Sequence, residues 1–187
     1  MTSSEYDQRF DEAQRGGREI RRVVFTERQV QTRVRELGAE ISEAYGLEDR
    51  LLVLGLLKGS FVFLADLVRR IALPLHVDFL IASSYGKSTV SSGDVRLLYD
   101  PAASLAGRSV LLVEDIVNSG ITLEKLLPRL EARRPSSLDV CTLLHKRSDE
   151  GGHEPRWVGF DAPNEFLVGY GLDHAEDFRH LPYIASL

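Results

Sequence analysis

Short uninterrupted apolar runs, each breaking into small or charged residues and then into a helical pattern, constrain this chain more than any other feature. The runs are LLVLGLL (51–57), VLLV (110–113) and LDVCTLLH (138–145). Each is strand-length and lacks the polar alternation of a strand with one wet face, so each reads as a strand covered on both sides. LHVDFLIAS (75–83) and Val95 to Tyr99 read as further strands. Between them lie helical patterns. Thr26 with Gln29 fits a capping box, after which Val30, Val34, Leu37, Ile41 and Tyr45 recur on one face. Phe61, Leu64, Val68 and Ile71 line a second helix, and a third spans 121–132, stopped near Arg133-Arg134-Pro135. Strands alternating with helices imply right-handed crossovers and an α/β fold with a mainly parallel, doubly wound sheet. Ligands then bind beyond the carboxyl ends of the strands, at the loops after residues 57, 83, 113, 145 and 170.

At 187 residues the chain fits one domain with a sizeable core. Residues 1–20, polar and mixed in charge, read as a flexible N-terminal arm, and 21–187 as the domain. SYGKSTVSSG (84–93) has too little apolar surface to hold itself still and reads as a mobile loop. RWVGFDAPNEFLVGYGLD (156–173) suggests two short strands around a turn at Pro163-Asn164. No apolar run approaches ~18 residues and no signal core opens the chain, so the expectation is a cytoplasmic protein without a membrane span. A net charge of −5 argues against a nucleic-acid surface. The lone Cys141 sits inside an apolar run and reads as a buried structural thiol rather than a nucleophile.

The chemistry concentrates in SVLLVEDIVNSGITLEKLL (109–127), where a buried strand finishes in two adjacent carboxylates, Glu114 and Asp115. Such acids are costly to desolvate without a charged or hydroxyl-bearing partner, which suits a ribose or a hard cation such as Mg²⁺. Asn118, Ser119, Gly120, Ile121 and Thr122 follow at a helix start, where backbone N–H groups, hydroxyls and the helix dipole can cradle a phosphate. Taken singly, the turn is also that of a plain capped helix, and the acids also those of a solvated strand end.

With these residues in view, VLLVEDIVNSGITL (110–123) resembles the phosphoribosyl pyrophosphate-binding motif of the type I phosphoribosyltransferases. More narrowly, the chain resembles the hypoxanthine(-guanine) phosphoribosyltransferases of purine salvage from about residue 20 to 183, with its motifs in family order. LLKGS (56–60) resembles the pyrophosphate loop, which in this family often holds a non-proline cis peptide. VDFLIASSYGKSTVSSGDVRLL (77–98) resembles a strand and the mobile catalytic loop, LLHKR (143–147) the strand end with the purine-selecting lysine, and WVGFDAPNEFLVGYGLDHAEDFRHLPYI (157–184) the purine-binding hood, mainly from 155–187.

The resemblance implies Mg²⁺-dependent transfer of a phosphoribosyl group to hypoxanthine and guanine, with pyrophosphate leaving. It implies that Asn118, Ser119, Gly120, Ile121 and Thr122 hold the 5′-phosphate and that Glu114 and Asp115 meet the ribose hydroxyls, directly or through Mg²⁺. Lys58 and Gly59 would offer backbone donors to pyrophosphate, Arg179 would add charged ones, and Asp173 would ligate Mg²⁺. Lys146 would donate to the exocyclic oxygen of a 6-oxopurine, Phe166 would stack on the ring, and backbone at Leu167 and Asp173 would read its edge. Ser84 and Tyr85 would begin the loop that closes over the reaction. The partners implied are small molecules and further copies of the chain, as homodimer or homotetramer.

One position departs. The family usually carries aspartate where this chain has Asn118, and an amide cannot accept the proton that leaves the purine ring. A slower enzyme, an introduced Asp-to-Asn change, or drift toward a non-catalytic phosphoribosyl pyrophosphate-binding regulator would each account for it. A xanthine-preferring enzyme is a further alternative.

Overall fold

The computed structural model describes residues 20–84, 95–147 and 153–187. Residues 1–19 and 85–94, which hold nearly all of the expected arm and catalytic loop, lie outside that description. The elements are β1 (Arg22–Phe25), α1 (Glu27–Ala44), β2 (Leu52–Leu57), α2 (Phe61–Val68), β3 (His76–Ser84), β4 (Val95–Tyr99), β5 (Ser109–Val117), α3 (Ile121–Glu131), β6 (Ser137–His145), β7 (Trp157–Asp161), β8 (Leu167–Val168) and β9 (Ile184–Ser186). The main sheet runs β4-β3-β2-β5-β6-β7, parallel except for the β4 edge, which pairs antiparallel with β3.

The apolar runs behave as double-faced strands because alternate residues serve different helices. Val53, Leu111, Val113, Cys141 and Leu143 pack under α1 and α2 with Val30, Val34, Leu37, Ile41, Phe63, Leu64 and Leu67. Their neighbours Leu52, Leu54, Leu56, Val110, Leu112 and Val140 face Leu123, Leu126, Leu127 and Leu130 of α3. The capping box forms, with the Gln29 N–H donating to Thr26 Oγ1 and Thr26 N–H donating to Gln29 Oε1. Cys141 is fully buried, and that burial pushes its thiol pKa well up, so it is an inert core group. Among the described residues no helix is long and apolar enough to cross a membrane.

Two local expectations change. Phe61 is exposed, and the buried face of α2 is Phe63, Leu64 and Leu67. The helix begins at Phe61, so that residue sits in a first turn facing solvent. Strand β5 does not stop at the acids but runs to Val117, because β6 continues beside it and pairs Glu114 with Thr142, Ile116 with Leu144 and Val117 with His145. The two short strands expected around Pro163-Asn164 are present as β7, which joins the main sheet beside β6, and β8, which belongs to a small sheet ordered β1-β9-β8. That small sheet ties Arg22–Phe25 to the carboxyl-terminal strand, a pairing too short and too distant in sequence for periodicity to reveal. Arg22 and Glu165 add an ion pair across it.

Chain order and sheet order together locate the crevice. From β2 the chain moves outward to β3 on one side, and from β5 it moves to β6 on the other, so the winding reverses between neighbouring β2 and β5. At such a switch point the two following loops splay apart. The core on both faces of this junction carries the stability. Leu111→Ala and Leu112→Ala, on opposite faces of β5 and both fully buried, should each cost about 2–5 kcal/mol, read as a lower urea midpoint with an unchanged slope.

Candidate functional site

At the switch point the loop after β2 meets the end of β5. The Leu57–Lys58 peptide is cis. Gly59 follows, and its missing side chain is what lets the two loops approach. A Cβ there would sit 1.8 Å from Asp115 Oδ2 and 2.5 Å from Asp115 Cγ. On its other side, a Cβ at Gly171 (φ 103°) would fall 2.1 Å from the Gly59 carbonyl oxygen. Three segments far apart in sequence therefore close on one residue without a side chain. Ser60 locks the turn by donating to the Leu56 carbonyl at 2.6 Å.

Glu114 is buried, and its Oε2 has no hydrogen-bond partner among the described residues. Burial, with the Asp115 carboxylate next to it, raises its pKa well above the ordinary carboxylate value. Asp115 is pushed up to about 6 by burial. The N–H groups of Asp115 and Ile116 and the Arg179 guanidinium pull it back down, and Asp173 pushes it up. Arg179 holds Asp173 through an ion pair of 2.8 Å and donates to the Gly171 carbonyl at 2.8 Å, and its buried Nε–H has no partner among the described residues. Asp173 Oδ2 also accepts from the Glu176 N–H at 2.8 Å.

Beyond β5 a cleft of about 100 Å³ is lined by Glu114, Ile116, Val117, Asn118, Ser119, Gly120, Ile121, Thr122 and Leu123. Gly120 caps α3 in the left-handed region (φ 73°) with no side-chain cap, and the first helical bond is Glu124 N–H to Gly120 C=O at 2.9 Å. The N–H groups of Ile121, Thr122 and Leu123 precede that bond and lack intrahelical acceptors. This is the geometry of an anion cradle.

The end of β6 adjoins it. The Lys146 N–H donates to the Val117 carbonyl at 2.8 Å, and its Nζ donates to the Glu165 carbonyl at 2.7 Å. Phe166 is 54% exposed, and its ring meets that of His174 in a T-shaped contact with centroids 5.2 Å apart. Leu167 beside it is buried.

The candidate residues thus gather in adjoining groups: Lys58, Gly59, Asp115, Asp173 and Arg179 at the crevice, Glu114 and 118–122 at the cradle, and Lys146, Phe166 and Leu167 beside it. Ser84 ends β3, and Tyr85 lies outside the described residues. Glu114, Asp115 and Asp173 do not close into a three-group metal cage, and no such cage occurs among the described residues. Sequence reasoning missed Gly171, His174 and Glu176. Nothing in DHAEDFR distinguishes Glu176 from a solvated acid, whereas a GxG before Asp173 is a signal for close backbone approach.

The chain matches the family model described as Phosphoribosyl transferase domain over residues 24–175. It is 48% identical over 175 residues to the hypoxanthine-guanine phosphoribosyltransferase of Mycobacterium avium, covering 90% of this chain and 86% of that protein. The hypoxanthine phosphoribosyltransferase of Escherichia coli K12 is 45% identical over 168 residues, covering 88% and 94%. Among solved structures, a hypoxanthine phosphoribosyltransferase from Staphylococcus aureus superposes with a TM-score of 0.86 at 37% identity, covering 100% of this chain and 96% of that one. A Bacillus anthracis hypoxanthine-guanine phosphoribosyltransferase with a HEPES molecule in its active site gives 0.85 at 42% identity, covering 90% and 99%.

The raised Asp115 pKa carries a stability consequence. Folding favours its protonated form, so the contribution is full below the unfolded value near 3.8 and is lost as pH rises through about 6. Asp115→Asn keeps the acceptor for the backbone N–H groups and removes that loss. The variant should match the parent in thermal stability at pH 4 and exceed it by about 1–3 kcal/mol at pH 7.5 in the absence of ligand, as calorimetry across that range would show.

Proposed function

Because the chain belongs to the phosphoribosyl transferase domain family, and within it to the hypoxanthine(-guanine) phosphoribosyltransferases, we propose that it transfers the phosphoribosyl group of phosphoribosyl pyrophosphate to hypoxanthine and guanine. The products are IMP or GMP and pyrophosphate, in purine salvage. The observation that carries this reading is the closure on Gly59, where the β2 loop, the Asp115 carboxylate and the Gly171 backbone meet. A diphosphate, a ribose and a purine must lie side by side in this reaction, and the motifs assigned to each adjoin here.

The transition state resembles an oxocarbenium ion, so negative charge near the sugar and donors on the leaving group accelerate the reaction. The N–H groups at the α3 start, with Ser119 and Thr122, hold the 5′-phosphate. Glu114 and Asp115 bind the ribose hydroxyls and face the developing positive charge. The Lys58–Gly59 backbone and Arg179, whose Nε–H is unused, bind the departing diphosphate. Lys146 donates to the exocyclic oxygen of the base while Phe166 covers the ring, and the backbone at Leu167 and Asp173 reads its edge. An amino group in place of that oxygen would set donor against donor, which discriminates against adenine. Ser84 and Tyr85 lead the loop that excludes water.

Mg²⁺ fits this donor set: a buried carboxylate oxygen of Glu114 lacks a partner, and Asp173 offers a second acid at the crevice. A hard cation that keeps substrate oxygens and waters needs only one or two such ligands. When bound, it neutralises charge on the diphosphate and ribose oxygens. Self-association as a dimer or tetramer is supported by exposed Val77, Phe79 and Tyr99 on one face of the β3–β4 edge. We place the protein in the cytoplasm.

Asn118 lies where the purine would shed its proton. Its amide oxygen accepts a hydrogen bond from the ring N–H but takes no proton, so positioning and electrostatics supply the rate that remains. Steady-state assays with Mg²⁺ should give IMP from the parent, and Asn118→Asp should raise kcat by up to ~10²-fold, with chelation of the metal abolishing both. Tight phosphoribosyl pyrophosphate binding with no nucleotide from either protein would instead favour a regulator, a reading for which Asn118 is the motive. A base panel in which xanthine outcompetes hypoxanthine would reassign the substrate.

A further inference from the structure

A carboxylate of the chain itself already bridges the cations beside the proposed diphosphate subsite. Both carboxylate oxygens of Glu176 accept from Lys58 Nζ at 3.1 Å, and Oε2 also accepts from Arg179 Nη2 at 3.3 Å. The geometry of the turn aims it there. His174 and Asp177 exchange backbone hydrogen bonds of 3.2 and 3.1 Å around a two-residue turn whose central residues, Ala175 and Glu176, both have positive φ, 53° and 70°. That is the sign pattern of a type I′ turn, which ordinarily selects glycine or asparagine and is unfavourable for alanine and glutamate. The Glu176 N–H donation to Asp173 at 2.8 Å fixes the turn to the rest of the crevice.

Stability does not explain this arrangement. The Lys58 and Glu176 side chains are each 66% exposed, and ion pairs so open to water contribute little to folding. A turn with two disfavoured backbone conformations that yields a weak surface pair has its rationale elsewhere. We propose that Glu176 is an internal counter-anion of the diphosphate subsite. It keeps Lys58 and Arg179 gathered beside the Gly59 backbone until a diphosphate displaces it, and it competes for the same cations when pyrophosphate leaves. Glu176 is thus a positioning residue that sets how tightly the leaving group is held, and the inference rests on the assignment of Lys58, Gly59 and Arg179 to that group.

The test is calorimetric titration of the full chain with inorganic pyrophosphate, with and without Mg²⁺, alongside the KM for phosphoribosyl pyrophosphate. The proteins are the parent, Glu176→Gln, Glu176→Asp, Lys58→Met and the Lys58→Met/Glu176→Gln pair, each first checked for an unchanged thermal transition. Glu176→Gln should bind pyrophosphate roughly two- to tenfold more tightly, as expected for removing an exposed competing anion. The KM for phosphoribosyl pyrophosphate should fall with it, and the gain should shrink as salt rises. It should also shrink in the Lys58→Met background, where half of the competition is gone. Glu176→Asp, which keeps the charge but withdraws it by one methylene, should fall between. Equal or weaker binding by Glu176→Gln, with normal binding by the parent, would make the residue a simple tie and overturn the proposal, as would a gain undiminished by Lys58→Met. If no protein in the set binds pyrophosphate or phosphoribosyl pyrophosphate, the leaving-group assignment itself fails, which is a separate result.

Discussion

The contact on which the rest of the site depends is the Asp115 carboxylate lying against the α-carbon of Gly59. It requires β2 and β5 to be neighbours, since only adjacent parallel strands bring their following loops this close. It requires β5 to run past its apolar stretch, so that Asp115 reaches the crevice as part of a strand rather than as a loose loop end. And it requires the carboxyl-terminal segment to fold back over the top, where Gly171 meets the Gly59 carbonyl. A side chain at Gly59 would push Asp115 away from the β2 loop, and one at Gly171 would push the returning segment off the Gly59 carbonyl. The small sheet β1-β9-β8 then has a clear task, because it anchors the returning segment through strands at both chain ends.

That closeness has an electrostatic consequence. Glu114 is buried and Asp115 beside it half-buried, and desolvation raises the pKa of both. The low dielectric that makes the pair unfavourable is also what strengthens its interaction with a positive centre. The protein moderates the cost locally, through two backbone N–H groups and Arg179 at Asp115, and leaves Glu114 Oε2 without any partner. A buried oxygen unpaired among the described residues is costly in a static core; under the proposed function it would meet a sugar hydroxyl. Sites that bind transition-state charge commonly give up native stability in this manner.

How much of this could be read from the sequence differs by element. The double-faced strands and the capped α1 were legible because burial on two sides and helical periodicity leave local signatures. The turn at 118–120 was legible because small polar residues directly before a helical pattern are conspicuous. The course of β5 past the acids was not, since its continuation depends on β6 lying alongside, which no local pattern encodes. Pairing of β1 with β9 joins residues at opposite ends of the chain, and strands of four and three residues carry no period. Phe61 misled because an apolar residue at helical spacing looks buried even when the helix begins at that residue. Glu176 was invisible for a related reason: its neighbours Lys58 and Arg179 are set by the fold, and by sequence it is one more acid in a polar turn.

The charge balance of the crevice bears on both the metal and the departed aspartate. With Glu114 and Asp115 ionised, the acids Glu114, Asp115, Asp173 and Glu176 outnumber Lys58, Lys146 and Arg179, although burial raises the pKa of the first two, and the proposed substrate brings a phosphate and a diphosphate. Anions do not enter an acidic crevice unaided. Under the proposed function, a divalent cation arriving with the diphosphate would offset that acidity, and an incomplete carboxylate set would suffice because the substrate would supply the remaining oxygens. In the same balance, an aspartate at position 118 would add a further negative charge next to the 5′-phosphate cradle. Asparagine removes that repulsion while removing the proton acceptor. In the proposed reaction, binding and turnover would therefore be pulled in opposite directions by this one change, Asn118 weakening the chemistry while easing the approach of the sugar phosphate.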